Sequence, residues 1–93
     1  MSDSEISFDK MTETARDGSV ADRVALAART ETPPELLYFL SEDIDQAVRR
    51  AVAANPHTPR QADVVLGRDP DPGVRCLLAR KIVGEGLGDD ERS

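Results

Sequence analysis

Ninety-three residues, 39% hydrophobic and only 3% aromatic, allow one small domain with a modest core and offer little for stacking on nucleobases. The formal net charge of −6 argues against a polyanion-binding protein, and a single cysteine, Cys76, excludes an intramolecular disulfide framework or a cysteine-rich metal site. No stretch approaches the roughly 20 apolar residues of a membrane span, and the acidic start MSDSEISFDK has no apolar run to make a secretion signal, so a cytoplasmic location and no membrane partner are expected.

Residues 1–18 read as a helix, with Ser4 as a cap, Phe8, Met11 and Ala15 on one face, and Gly18 as the stop. The competing reading is an acidic arm without fixed structure. Residues 19–31 form half of a repeating unit. Ser19 is placed to cap a helix, with Asp22 three residues later.

The next 52 residues write one pattern twice, 26 residues apart: TPPELLYFLSEDIDQAVRRAVAANPH over 32–57 and TPRQADVVLGRDPDPGVRCLLARKIV over 58–83. Eight pairs are identical, among them Thr32/Thr58, Pro33/Pro59, Leu40/Leu66, Asp43/Asp69, Arg49/Arg75 and Ala53/Ala79. Repeats of this length signal stacked supersecondary units, each unable to bury its apolar face alone. Each copy opens on a capping box, Thr32 to Glu35 and Thr58 to Gln61. Short helices then carry Leu36, Phe39 and Leu40, or Ala62, Val65 and Leu66, at helical spacing, and Gly67 suits a left-handed stop to the second of them. The acidic turns 43–45 and 69–72 follow. Asp45 and Asp71 are placed to cap the next helices, with Pro72 at a first helical position. Those helices bury Val48, Ala51 and Val52, or Val74, Leu77 and Leu78, and the first ends at Asn55-Pro56 because a residue before proline avoids the helical region. Second-type helices are thus predicted near 20–30, 45–55 and 72–83. Residues 84–93, GEGLGDDERS, read as a flexible tail. With no polar capping helix after it, the second copy is expected to leave an apolar edge around Leu77, Ile82 and Val83. The chain then either continues in a longer protein or self-associates through that edge.

Charge is segregated. Residues 1–17 hold five acids and two bases, residues 85–93 four acids and one base, and residues 18–84 nine of each. Acids at helix starts and bases toward helix ends complement the helix dipole. The alternative is a basic inner surface for an anionic partner. Arg23, Arg49 and Arg75 recur at the repeat spacing, as do Asp43 and Asp69. Pairing between them would join successive units by charge-assisted hydrogen bonds. Arg50, Arg80 and Lys81 lie off this ladder and, with Gln46, are the expected partner contacts.

The strings PPELLYFLSEDIDQAVRRAVAANPHTP and LGRDPDPGVRCLLARK resemble leucine-rich-repeat-variant and HEAT-like helical repeats. More closely, residues 48–56 and 78–82 resemble the N-terminal region of a bacterial family of unknown function found mainly in alphaproteobacteria. Over roughly residues 19–83 the resemblance implies an all-α, right-handed α-solenoid of about three helical hairpins, and it implies no activity. One branch of the variant repeats carries an iron–sulfur cluster, a group normally held by four cysteines. Cys76 alone does not carry that property over.

No catalytic constellation is legible. His57, the single histidine, sits in a connector with no nucleophile near it, and a catalytic base needs a positioned partner. Residues 84–88 lack the lysine and hydroxyl of a phosphate loop. Asp69 and Asp71 lack the further ligands of a calcium loop. The expectation is a non-catalytic protein-interaction or scaffold module without metal or cofactor, forming part of a larger regulatory protein. Weak nucleic-acid binding through a basic concave face is the alternative.

Overall fold

The computed structural model describes residues 7–90, with side chains through Val83. Among these residues the chain is all helical: α1 (Phe8–Asp17), α2 (Val20–Ala28), α3 (Pro34–Leu40), α4 (Gln46–Ala54), α5 (Arg60–Leu66) and α6 (Pro72–Asp90). Phe8, Pro34 and Arg60 begin the odd helices at one constant interval, and Val20, Gln46 and Pro72 begin the even helices at the same interval. The described residues therefore give three odd–even helix pairs, matching the expected number of about three hairpins. α1 is a helix, and it is the first helix of the first unit. The acidic-arm alternative does not hold for residues 8–17.

Local chemistry explains the helix starts. Ser7 caps α1 by accepting from the Lys10 N–H, while the expected cap Ser4 lies outside the described residues. Ser19 accepts from the Asp22 N–H, Asp45 from Ala47 and Asp71 from Val74. Each satisfies a donor that the first helical turn leaves without a partner. α3 and α5 begin differently. Pro33 and Pro59 stand at their caps, and neither helix has a side-chain cap bond. The expected capping boxes at Thr32 and Thr58 do not form, because both hydroxyls turn back to the preceding helix. Thr32 Oγ1 donates to the Leu26 carbonyl at 2.6 Å, and Thr58 Oγ1 to the Val52 carbonyl at 2.8 Å. The threonines close α2 and α4 instead of opening α3 and α5.

Gly67 also differs from expectation. Its backbone is right-handed, φ −66° and ψ −18°, matching Ser41 at −66° and −14°. Both short helices unwind through three-residue turns, such as Asp43 N–H to Leu40 O and Asp69 N–H to Leu66 O, each at 3.1 Å. No left-handed residue is needed, which is why serine serves in one copy and glycine in the other.

α4 packs between α2 and α6, α3 packs between α1 and α5, and each odd helix also packs against the even helix that follows it. Two rows result. Leu40, Val48, Val52, Leu66 and Val74 are fully buried in one core cluster, and Leu37 is also fully buried. Ala27 and Ala53 are also 0% exposed. Their small side chains let α2, α4 and α6 approach closely. Ala51 and Leu77 are only partly buried, and Phe39, expected in the core, is 48% exposed while its neighbour Leu37 takes the interior. The principal extents are 46 × 32 × 18 Å.

α6 is 19 residues long, against nine for α4. It runs through Asp90, past Gly84, where the sequence reading placed the start of a tail.

Candidate functional site

The aspartates of the acidic turns organise the joints between units. Arg23 on α2 donates from Nε to Asp43 Oδ2 at 2.8 Å and from Nη2 to Oδ1 at 3.1 Å. Arg49 on α4 repeats this with Asp69 at 2.6 and 3.3 Å. In each case an arginine of one unit grips the turn of the next. The remaining nitrogen, Nη1, donates to a backbone carbonyl of the arginine's own unit, Gly18 for Arg23 and Asp43 for Arg49. The aspartates do double duty: Asp43 Oδ1 accepts from the Asp45 N–H and Asp69 Oδ1 from the Asp71 N–H, both at 2.9 Å. This fixes the residue that caps the next helix. The side chains are largely withdrawn from water, at 14% and 7% exposure for the first pair and 16% and 5% for the second. Bidentate pairs in such surroundings specify geometry as well as adding energy. Arg75, the third arginine of the series, is exposed and makes no ion pair among the described residues.

A second ladder lies at the ends of the even helices. Asn55 Nδ2 donates to the Ala27 and Arg29 carbonyls at 2.8 and 3.0 Å. One unit later, Lys81 Nζ donates to the Asn55 carbonyl and to Asp63 Oδ1, both at 3.0 Å. The last carbonyls of a helix have no partner within it. Here the next unit supplies one. Asn55 and Lys81 are repeat equivalents, and so are Leu37 and Asp63. The two exchanges come together: where one copy buries Leu37, the next carries Asp63, and Lys81 turns to meet it. That paired change was the signal in the sequence, and it was not read there.

The expected partner contacts consequently divide. Lys81 is held inside the joint, with its side chain only 10% exposed, because it has both a carboxylate and a carbonyl to bind. It does not contribute to an outer basic surface. Arg50 donates from Nε and Nη2 to Asp71 at 2.8 and 3.1 Å, so it is not the unpaired cation expected of it. This pair is more exposed. Its hydrogen bond and charge hold the Asp71 carboxyl below the usual carboxylate range and raise Arg50 further above its already high value. The Arg50 guanidinium lies over Gly73, where any added Cβ would fall 2.7 Å from Nε. Gln46 and Arg80 remain exposed as expected. Arg50 and Lys81 are thus each paired with an aspartate.

The rest of the site is quiet. His57 is exposed in its connector, and Cys76 is an exposed free thiol on α6. Among the described residues there is no metal-competent group of His, Cys, Asp or Glu side chains, and no helix is long and apolar enough to cross a membrane. The surface depressions are open grooves between neighbouring helices, such as the one lined by Pro34, Glu35, Tyr38, Pro59 and Gln61. Comparison with known protein families, curated proteins and solved structures found no match.

Proposed function

We propose that this chain is a non-catalytic interaction module, a right-handed α-solenoid of HEAT-like hairpins that presents its even helices to a protein partner. The observation that carries this reading is the joint written twice: Arg23 to Asp43 and Arg49 to Asp69, each spanning 20 residues with the same bidentate geometry. Such joints stack units in one direction and keep a continuous row of helices exposed along it, the arrangement that repeat proteins use for extended binding surfaces. The exposed positions of that row include the small Ala25, Ala47 and Ala54, with Gln46, Arg50 and Arg80 projecting. Small residues set between long polar and basic side chains suit a helical or extended segment carrying acidic groups.

The test is affinity capture on residues 1–93 with nuclease present, comparing the unaltered chain with Arg80→Glu. Arg80 is the right probe because it makes no ion pair among the described residues, whereas Arg50→Glu would also break the pair with Asp71. A partner retained under nuclease and lost in Arg80→Glu is the expected result. Binding that disappears with nuclease overturns the reading in favour of nucleic acid.

A further inference from the structure

The two ends of the helix stack are complementary halves of the joint that occurs twice inside it. The stacking face of α2 includes Arg23 and Ala27, and that of α4 includes Arg49 and Ala53. Both alanines are fully buried, and both arginines are gripped by the following turn. The same positions on α6 are Arg75 and Ala79, one helical turn apart on one face. Both are exposed. Ile82 continues this face at 49% exposure, next to a groove lined by Val64, Leu78 and other α5 and α6 residues.

At the opposite end stands the missing acceptor. Counting back one unit from Asp69 and Asp43 reaches Asp17, the last residue of α1, just before the link to α2. It is followed two residues later by the helix cap Ser19, as Asp43 is by Asp45 and Asp69 by Asp71. Asp43 and Asp69 are almost covered, but the Asp17 side chain is 71% exposed, with only a 3.8 Å contact to its neighbour Arg16. Among the described residues, one end therefore carries an arginine without its aspartate and the other an aspartate without its arginine.

We infer that a second copy of this chain docks head to tail, its Asp17 taking, against Arg75 of the first copy, the place that Asp43 and Asp69 take against Arg23 and Arg49. The contact is heterologous, so it leaves the same two halves free at the ends of each pair. Growth continues into an open filament or closes as a ring. The apolar strip beside Arg75 supplies the area, and the charge pair sets direction and register. The contact uses the end faces of the stack and is independent of the partner surface proposed on the even helices.

Sedimentation velocity and light scattering over a concentration series test this directly. The expected mass rises steadily with concentration instead of stopping at a dimer. Arg75→Glu and Asp17→Arg each weaken association by roughly tenfold or more, as loss of a charge-assisted pair should. Both residues are exposed, so both variants should keep the helical circular dichroism of the parent. The decisive arm mixes the two variants. Glu at position 75 then meets Arg at position 17, the other junction keeps its native pair, and association returns to the parent level. A monomer at every concentration up to about millimolar, where even the weakest association is seen, overturns the inference. So does association indifferent to both charge reversals, or a dimer plateau that mixing does not restore.

Discussion

α4 and α6 occupy the same position in successive units, yet one is nine residues long and the other 19. Their starts are alike, each with an aspartate before the first turn. Their ends differ. After α4 the chain reads Asn55-Pro56-His57-Thr58-Pro59, and at the corresponding place in α6 it reads Lys81-Ile82-Val83-Gly84-Glu85. In the first case proline forbids continuation, and the Thr58 hydroxyl satisfies the Val52 carbonyl, which a continuing helix would have bonded. In the second both devices are missing, and the helix passes through three glycines. Helix length here is set by the connector, not by the helix-forming tendency of the residues within it. The same contrast separates the covered joints of the stack from its bare end.

The strongest way to break that contrast is to disable a joint. Asp69→Ala removes the partner of a nearly buried arginine and the side chain that holds the Asp71 turn. It should cost about 3 kcal/mol, the lower end of the range for leaving a buried charge unpaired. Arg75→Ala, at the equivalent position without a partner, should fall within about 0.5 kcal/mol of the parent. Urea denaturation of both variants measures the difference, and equal losses would show that the joints do not hold the stack.

A smaller effect is expected from Thr58→Val. The substitution preserves shape while deleting the 2.8 Å bond to the Val52 carbonyl, at a cost of about 1–2 kcal/mol for a buried acceptor left short of a partner. Amide exchange should quicken first near the end of α4.

The contrast is sharpened by moving the stop signal. Lys81→Asn, Ile82→Pro, Gly84→Thr and Glu85→Pro together would give α6 the ending of α4. The expected outcome is a shorter helix ending near residue 80, read from NMR chemical shifts, with the start of α6 unchanged. Persistence of helix beyond Pro at 85 would disprove the connector account.

The smallest effect concerns pH. The Asp71 carboxyl is lowered by Arg50, so the pair contributes stability above the ordinary aspartate value of about 4. That contribution is lost as pH falls through the depressed folded value. Asp71→Asn keeps an acceptor for the helix cap but removes the charge. The stability difference between parent and variant should therefore shrink as pH drops below about 4, followed by thermal unfolding across the acid range. A difference that is flat with pH would remove the charge from the account.

Much of this molecule was written in its sequence by local chemistry. Ser19, Asp45 and Asp71 act as caps because their side chains reach N–H groups only two or three residues away, and Asn55-Pro56 ends a helix by backbone sterics alone. Period and composition established an all-helical chain, and the recurrence of Arg23 and Arg49 with Asp43 and Asp69 announced the joint, since identical spacing brings identical groups together in any regular stack. What tertiary structure decided is which of two available partners a side chain takes. Thr32 and Thr58 had a cap in reach and bonded the previous helix instead, because their hydroxyls face its otherwise unsatisfied carbonyls. Lys81 was expected in water and was drawn inward, because packing brought Asp63 and the Asn55 carbonyl to one point. Arg50 was expected free and found Asp71 across the joint. Local rules act over a few residues and are legible in order along the chain; the competition between a near partner and a distant one is settled only when the helices have docked.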